Sequence, residues 1–318
     1  MALGAIVGLL WIIPSDHYLY LPDPALEVDP LVRVPDEDSG SAEGGIYMVD
    51  ILVRRASLFE RLFPQVHDGA ELIPEEEFNP AGLSETQRRQ ESLSEMSASQ
   101  QIAIAVALRR LGHDVESLGA EVATVLAGAP ADGKLEVGDV IVGAKGEEVS
   151  SPEDLFEVMS THTPGTPVRF DVRRNGRERE IVVDTRASSD GERRAVVGVM
   201  VQPELRFPVD VEIDAGNIGG PSAGLAFALD IYDELGEDID RGRRIVVTGT
   251  LDLDGRVGPI GGIEQKTLGA RAVDADVFLV PDLNAEAARR RADDHVQVIP
   301  VSTFQEALSA LTTQQLSS

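Results

Sequence analysis

From residue 196 to 311, short apolar runs alternate with stretches of helical period. VVGVMV, VDVEI, RRIVVTGTL, DVFLVP and VQVIPV read as strands, and Pro221 to Leu235, Ile263 to Ala272, Ala285 to Ala292 and Thr303 to Leu311 as helices. That alternation predicts an α/β layer domain. Upstream, Ile46 to Val53 reads as one strand and residues 64 to 83 as a long acidic loop containing Glu75, Glu76 and Glu77. A long helix is expected from about Ser84 to Leu111. Ser84 and Gln87 have capping-box spacing, Leu93, Met96, Ile102, Ile104, Val106 and Leu111 supply its apolar side, and Gly112 ends it. Residues 119 to 186 carry a different pattern of short strands and turns, with a helix near Pro152 to Ser160. There VRFDVRR and REREIVVDT are expected to pair across Asn175-Gly176.

Ala2 to Ile13 is an unbroken apolar run ended by Pro14. It is shorter than the roughly 20 residues that span a bilayer, and the first cation is Arg33, so no basic leader precedes it. A buried strand or helix is one reading. The preferred expectation for residues 1–13 is a hydrophobic anchor or signal stub whose start lies upstream, with Trp11, Tyr18 and Tyr20 at the membrane interface. Residues 14–43 then read as a linker rich in Pro, Asp, Glu, Gly and Ser, and 44–118 as an N-terminal segment packing on the C-terminal domain.

Composition narrows the function. Twenty-eight Lys and Arg against 55 Asp and Glu give a net charge of −27, which argues against phosphate backbones and anionic membrane surfaces as partners. No Cys is present, which removes disulfides, thiolate metal sites and a Cys nucleophile. The five His (17, 67, 113, 162 and 295) have no triad or metal spacing, and all read as structural or surface residues. No cofactor or metal is expected. Only three of the 28 cations are Lys: Lys134, Lys145 and Lys266. In a chain that otherwise uses Arg, each Lys asks why Arg would not serve.

Two segments carry candidate chemistry. In AGNIGGPSAGLAFALDIYDEL, Ser222 is expected at a helix N-terminus behind a glycine turn. Backbone N–H groups there suit a nucleophile, because they can hold an oxyanion, with Gly220, Pro221 and Ala223 forming the oxyanion and substrate-backbone wall. In VVTGTLDLDGRVGPIGGIEQKTLGARA, Lys266 lies on a helix near Ile260, Ile263, Leu268 and Ala270. A desolvated Lys loses its proton near neutral pH, whereas Arg does not, and the neutral amine can deprotonate a Ser hydroxyl.

GPSAG followed by TG-x-L-x-x-x-GRVxPIGGIxxK resembles the proteolytic domain of the Lon-type Ser–Lys peptidases, over about the last 120 residues (196–318). That resemblance implies Ser222 as nucleophile, Lys266 as general base and Thr248 as the residue that orients the Lys. GAPADGKLEVGDVIVGAKGEEV is similar to the core of a bacterial PDZ domain, placed at 119–186, which implies capture of an extended peptide; Gly119, or Val199 with its neighbours, is the candidate binding loop. The order of the two resembles the bacterial PDZ–Lon membrane proteases. The implied fold is an α/β (α+β) proteolytic domain with a β-rich PDZ domain, expected as an insertion. The implied activity is ATP-independent endopeptidase action on peptides or unfolded proteins. A membrane-anchored, extracytoplasmic location and a homo-oligomeric ring are implied as well.

The sequence departs from the family at defined points. No G-x-x-x-x-G-K-[ST] motif occurs in it. The acidic residue expected three before the nucleophile is Gly219, and the Glu expected after Thr-Gly is Thr250. These departures leave a second reading open, a PDZ scaffold with a dormant proteolytic domain. GNIGGP also resembles the GNSGGP of trypsin-like proteases, but Ile218 stands where their nucleophile would be.

Overall fold

The computed structural model describes residues 8–35, 44–80, 82–188 and 194–313. The chain forms two compact units, Met1–Leu111 with Asp210–Ser318, and Gly112–Val209.

The larger unit is built on a five-stranded sheet in the order Leu26–Glu27, Gly45–Met48, Arg244–Val247, Val277–Pro281, Gln297–Val301. All neighbours are parallel except Leu26–Glu27. Past Arg244 the central strands Arg244–Val247 and Val277–Pro281 are apolar, as a parallel sheet covered on both faces requires. Val246, Phe278 and Val280 are fully buried with Ile263 and Ala270 of one helix and Ala288 of another. Helices Gly224–Leu235, Ile263–Ala272, Ala285–Ala292 and Phe304–Thr313 fall close to their expected places.

Several expectations upstream need correction. The helix expected from Pro221 starts at Gly224, so Pro221 and Ser222 precede it. The single strand at 46–53 is two, Gly45–Met48 and Ile51–Ser57, broken at Val49 and Asp50. Residues 14–22, read as linker, form a nine-residue strand paired with Ile51–Ser57 on one side and Glu71–Pro74 on the other. Its prolines sit at its two ends, where a missing N–H is tolerated. The acidic loop at 64–83 contains that third strand and a short helix, Glu75–Phe78. Tyr18 is not an interfacial residue: it is buried, with its ring 4.0 Å from that of Phe78 and the Arg88 guanidinium over it.

The long helix Glu85–Arg110 carries its capping box as expected, Ser84 accepting from the Gln87 N–H. Its buried side includes the expected Met96, Ile104 and Val106 together with Ser99, Ala103, Ala105, Ala107 and Leu108, while Leu93, Ile102 and Leu111 are half-buried. Among the described residues no helix is long and apolar enough to cross a membrane. Residues 1–7 of the expected anchor lie outside the described residues.

The smaller unit holds a six-stranded sheet around a core that includes Val122, Ile141, Phe170 and Val172. Val168–Arg174 and Arg177–Val183 form the expected hairpin, with Asn175 (φ 51°) and Gly176 (φ 72°) in the left-handed region a tight turn needs. Val199–Arg206, read as part of the C-terminal domain, instead pairs with Glu116–Val125 in this unit.

Candidate active site

The turn ahead of helix Gly224–Leu235 is held from outside by the long helix. Gly220 N–H donates to the Ser92 carbonyl (2.8 Å), and Ser99 Oγ donates to the Pro221 carbonyl (3.0 Å). This approach accounts for two small residues. A Cβ on Gly219 would lie 2.2 Å from Ser92 Oγ, and one on Gly224 would lie 2.6 Å from Ser99 Oγ. Any side chain at position 219, an acid included, would have to displace the Ser92 hydroxyl.

Ser222 follows, half-exposed. Its carbonyl accepts from Gly249 N–H (2.9 Å) and from Thr248 Oγ1 (3.3 Å), which ties the turn to the end of strand Arg244–Val247. Lys266 reaches the same point from helix Ile263–Ala272, which Gly262 enters at φ 65°. Its Nζ lies 2.7 Å from Ser222 Oγ and 3.2 Å from Thr248 Oγ1. The structure thus brings together Ser222, Lys266 and Thr248, from three separate elements.

The electrostatics favour a neutral amine. Lys266 is 2% exposed, and burial lowers its pKa to about 8 against a weaker upward pull from Asp50. About one amine in ten is then neutral at pH 7, roughly two hundred times the fraction of an ordinary Lys. Thr248 spends its own proton on the Ser222 carbonyl and so accepts an N–H from Lys266. That leaves the amine lone pair for the Ser222 hydroxyl.

A cleft of about 630 Å³ opens over these groups, with Asp23, Asp50, Asn217, Thr250 and Ile260 among its walls. Sequence reasoning missed Asp50. Its carboxyl accepts from Ile51 N–H (2.8 Å), and burial raises its pKa while Lys266 pulls it down. The only sequence signal was a carboxylate inside an apolar run.

The oxyanion assignments divide. Gly220 does not supply a donor, since its N–H is committed to Ser92, and Pro221 has no N–H. Among the described residues the N–H groups of Ser222 and Ala223 donate to no protein acceptor, and they border the same turn.

In the smaller unit, Gly119 lies within strand Glu116–Val125, buried against the Ile141 carbonyl, and is not a binding-loop residue. Gly198 and Val199 line an apolar groove of about 500 Å³ with Leu126, Leu155, Met159 and Phe170.

Comparison with known proteins finds two family matches, whose bounds cross those of the two units at 96–111 and at 200–209. Residues 200–314 match the Lon protease (S16) C-terminal proteolytic domain, and residues 96–185 match the PDZ domain. Lon protease 2 of Bacillus subtilis is 34% identical over 107 residues, covering 34% of this chain and 18% of that protein. The Lon protease of Brucella suis biovar 1 is 29% identical over 185 residues, covering 56% of this chain and 22% of that protein. The chain thus spans about a fifth of these relatives. Among solved structures, the PDZ domain of the SdrC-like protein from Listeria monocytogenes is 19% identical over 26% of this chain and 87% of that one, with a TM-score of 0.25. The chain carries a PDZ domain and a Lon-type C-terminal proteolytic domain, and its curated relatives include Lon proteases.

Proposed function

We propose that the protein is an ATP-independent serine endopeptidase working through a Ser222–Lys266 dyad. The observation that carries this reading is a buried amine, lowered toward neutrality, 2.7 Å from a half-exposed Ser hydroxyl. In the proposed cycle Lys266 takes the Ser222 proton as Oγ attacks the peptide carbonyl. The N–H groups of Ser222 and Ala223 hold the oxyanion. The protonated Lys266 then gives its proton to the leaving amine, and an acyl-enzyme remains. Water, deprotonated by Lys266, attacks that ester, and the Lys266 ammonium returns the proton to Ser222 Oγ as the acid product leaves. Thr248 positions the amine throughout.

The groove at Val199 would hold an apolar side chain of an extended peptide, by the strand-addition mode of PDZ domains. No P-loop motif in the sequence supplies ATP-driven unfolding, so flexible or unfolded segments are the substrates the reading favours. Membrane attachment through the N-terminus, with the domains outside the cytoplasm, belongs to the same proposal. Leu9, Trp11, Ile12, Leu62 and Phe63 support it as exposed apolar side chains, with Trp11 stacked on Phe59 at 5.0 Å. A homo-oligomeric ring is proposed from the family resemblance.

The test is casein turnover without ATP by wild type, Ser222→Ala and Lys266→Arg. Turnover abolished by both substitutions is expected. Turnover that survives Ser222→Ala contradicts the assignment.

A further inference from the structure

Ser222 stands just before the N-terminus of helix Gly224–Leu235. Twelve residues at 1.5 Å each put the other end of that helix about 18 Å away. There the sequence DELGEDIDRG folds back on itself. Asp233, Asp238 and Asp240 each bring a carboxylate oxygen within 4.8 Å of the others. They line a cavity of about 240 Å³ whose walls also include Glu27, Asp29 and Asp230, and among the described residues no Lys, Arg or His lines it.

The carboxylates are held in place. Asp233 Oδ1 accepts from the N–H groups of Ile239 and Asp240, Asp238 Oδ1 from Arg241 N–H, and Asp240 Oδ1 from Gly242 N–H. One oxygen of each is thereby fixed by backbone and the other is left for a ligand. The nearby cation, Arg243, turns its guanidinium to the carbonyls of Ile239, Asp240 and Leu311 and not to these carboxylates. Gly44 makes room for the loop, since a Cβ there would lie 2.5 Å from the Gly242 backbone and 2.8 Å from Asp240 Oδ1.

A second observation points independently to a ligand. Asp230, on the helix itself and 3% exposed, lines the cavity with a buried Oδ2 that has no hydrogen-bond partner. An orphaned carboxylate oxygen among other acids has two remedies, a proton or a cation.

The number of carboxylates favours one class of cation. Calcium takes six to eight oxygen ligands and accepts several carboxylates directly, whereas magnesium keeps most of its waters and is held by one or two. Three carboxylates that converge, with a fourth on the same cavity wall, fit the first pattern.

We propose that this acidic cavity is a calcium site. Asp233, Asp238 and Asp240 supply ligands, Asp230 adds its unpartnered oxygen directly or through water, and water fills the remaining positions. A bound ion would clamp the end of the helix that follows Ser222 to the loop that leads into strand Arg244–Val247, and so toward Thr248. The site does not depend on the peptidase reading.

The experiment is calorimetric titration of the chelator-treated full chain with calcium chloride at physiological ionic strength, with a thermal melt at each end. Wild type is expected to bind one calcium saturably below millimolar concentration and to melt at a higher temperature when loaded. The paired substitution Asp238→Asn with Asp240→Asn is expected to keep the far-ultraviolet spectrum and lose at least about tenfold in affinity. Asp230→Asn, nearly isosteric, is expected to weaken binding while remaining folded. With a chain this acidic, diffuse binding is the rival explanation. No saturable binding by wild type, or equal binding by the paired variant, would overturn the site. Equal affinity for magnesium would overturn the assignment to calcium.

Discussion

Glu60 and Lys266 are buried to almost the same degree, 1% and 2% exposed, yet the larger unit treats them in opposite ways. Glu60 receives both guanidinium nitrogens of Arg54, the His67 ring (2.7 Å) and the N–H and hydroxyl of Ser57 (2.9 Å each). Those partners, Arg54 first, hold its carboxyl far below the usual range, so it stays ionised. Lys266 meets only the Ser222 and Thr248 hydroxyls, and the weak upward pull of Asp50 is what opposes its burial. Burial then prevails and the amine moves toward neutrality. Burial alone decides neither outcome; the partners do. A structural ion is surrounded by charge and donors, whereas a candidate base is given only enough polarity to aim it.

Exchanging the chemistry of each residue tests that contrast, and the largest effect falls on Lys266. Lys266→Met, which keeps the volume and removes the amine, is expected to reduce peptide hydrolysis at least about a thousandfold. It should not lower the melting temperature, because the desolvation cost of the amine goes with it. The sign follows from linkage. With a folded pKa near 8 and an unfolded value near 10.4, the unfolded chain binds the extra proton between those values, so wild-type stability rises with pH across that window. Lys266→Met should flatten that rise in urea melts.

Glu60→Gln should do the reverse. It weakens the charge-assisted bonds from Arg54 and is expected to cost about 1–3 kcal/mol, since solvent reaches the unpaired guanidinium, read as a lower urea midpoint. Hydrolysis per folded molecule should stay at the wild-type level. A large fall in turnover of folded protein would mean that the strand-and-helix segment around Glu60 does more than support.

Thr248→Val removes the acceptor that orients the amine while keeping its shape, and about a 10- to 100-fold loss in kcat is expected. Asp50→Asn gives the smallest change. Asp50 holds the Lys266 pKa up, so removing its charge should move the acid limb of the pH–rate profile from near 8 to lower pH, by less than about one unit. A limb that stays in place or moves upward would remove Asp50 from the site.

Ser222 and Lys266 each carried a physical signal in the sequence, and the family resemblance joined the two. A Gly-Gly-Pro-Ser turn and a Lys in a chain of Arg both state a local requirement. Thr248 was reached only through the family resemblance, since a Thr at the end of a strand has many ordinary reasons to be there. Ser92 and Ser99 gave no signal, because their work is done across 122 to 128 residues of chain, on the turn at Gly220 and Pro221. Strand Pro14–Pro22 was hidden by composition: its Pro and Asp look like a linker until Ile51–Ser57 and Glu71–Pro74 pair with it on either side. The break at Val49 and Asp50 was hidden by continuous hydrophobicity, and with it the acid that faces Lys266.

The central claim is that a neutral Lys266 activates Ser222, and acylation of Ser222 as a function of pH tests it most directly. The full-length protein would be incubated with a serine-reactive fluorophosphonate from pH 6 to 10 and the adduct located by peptide mass spectrometry. The account predicts an adduct on Ser222 whose rate rises with a midpoint near 8 and vanishes in Lys266→Met. Labelling of Ser222 at the same rate in Lys266→Met, or no labelling of Ser222 at any pH, would contradict it.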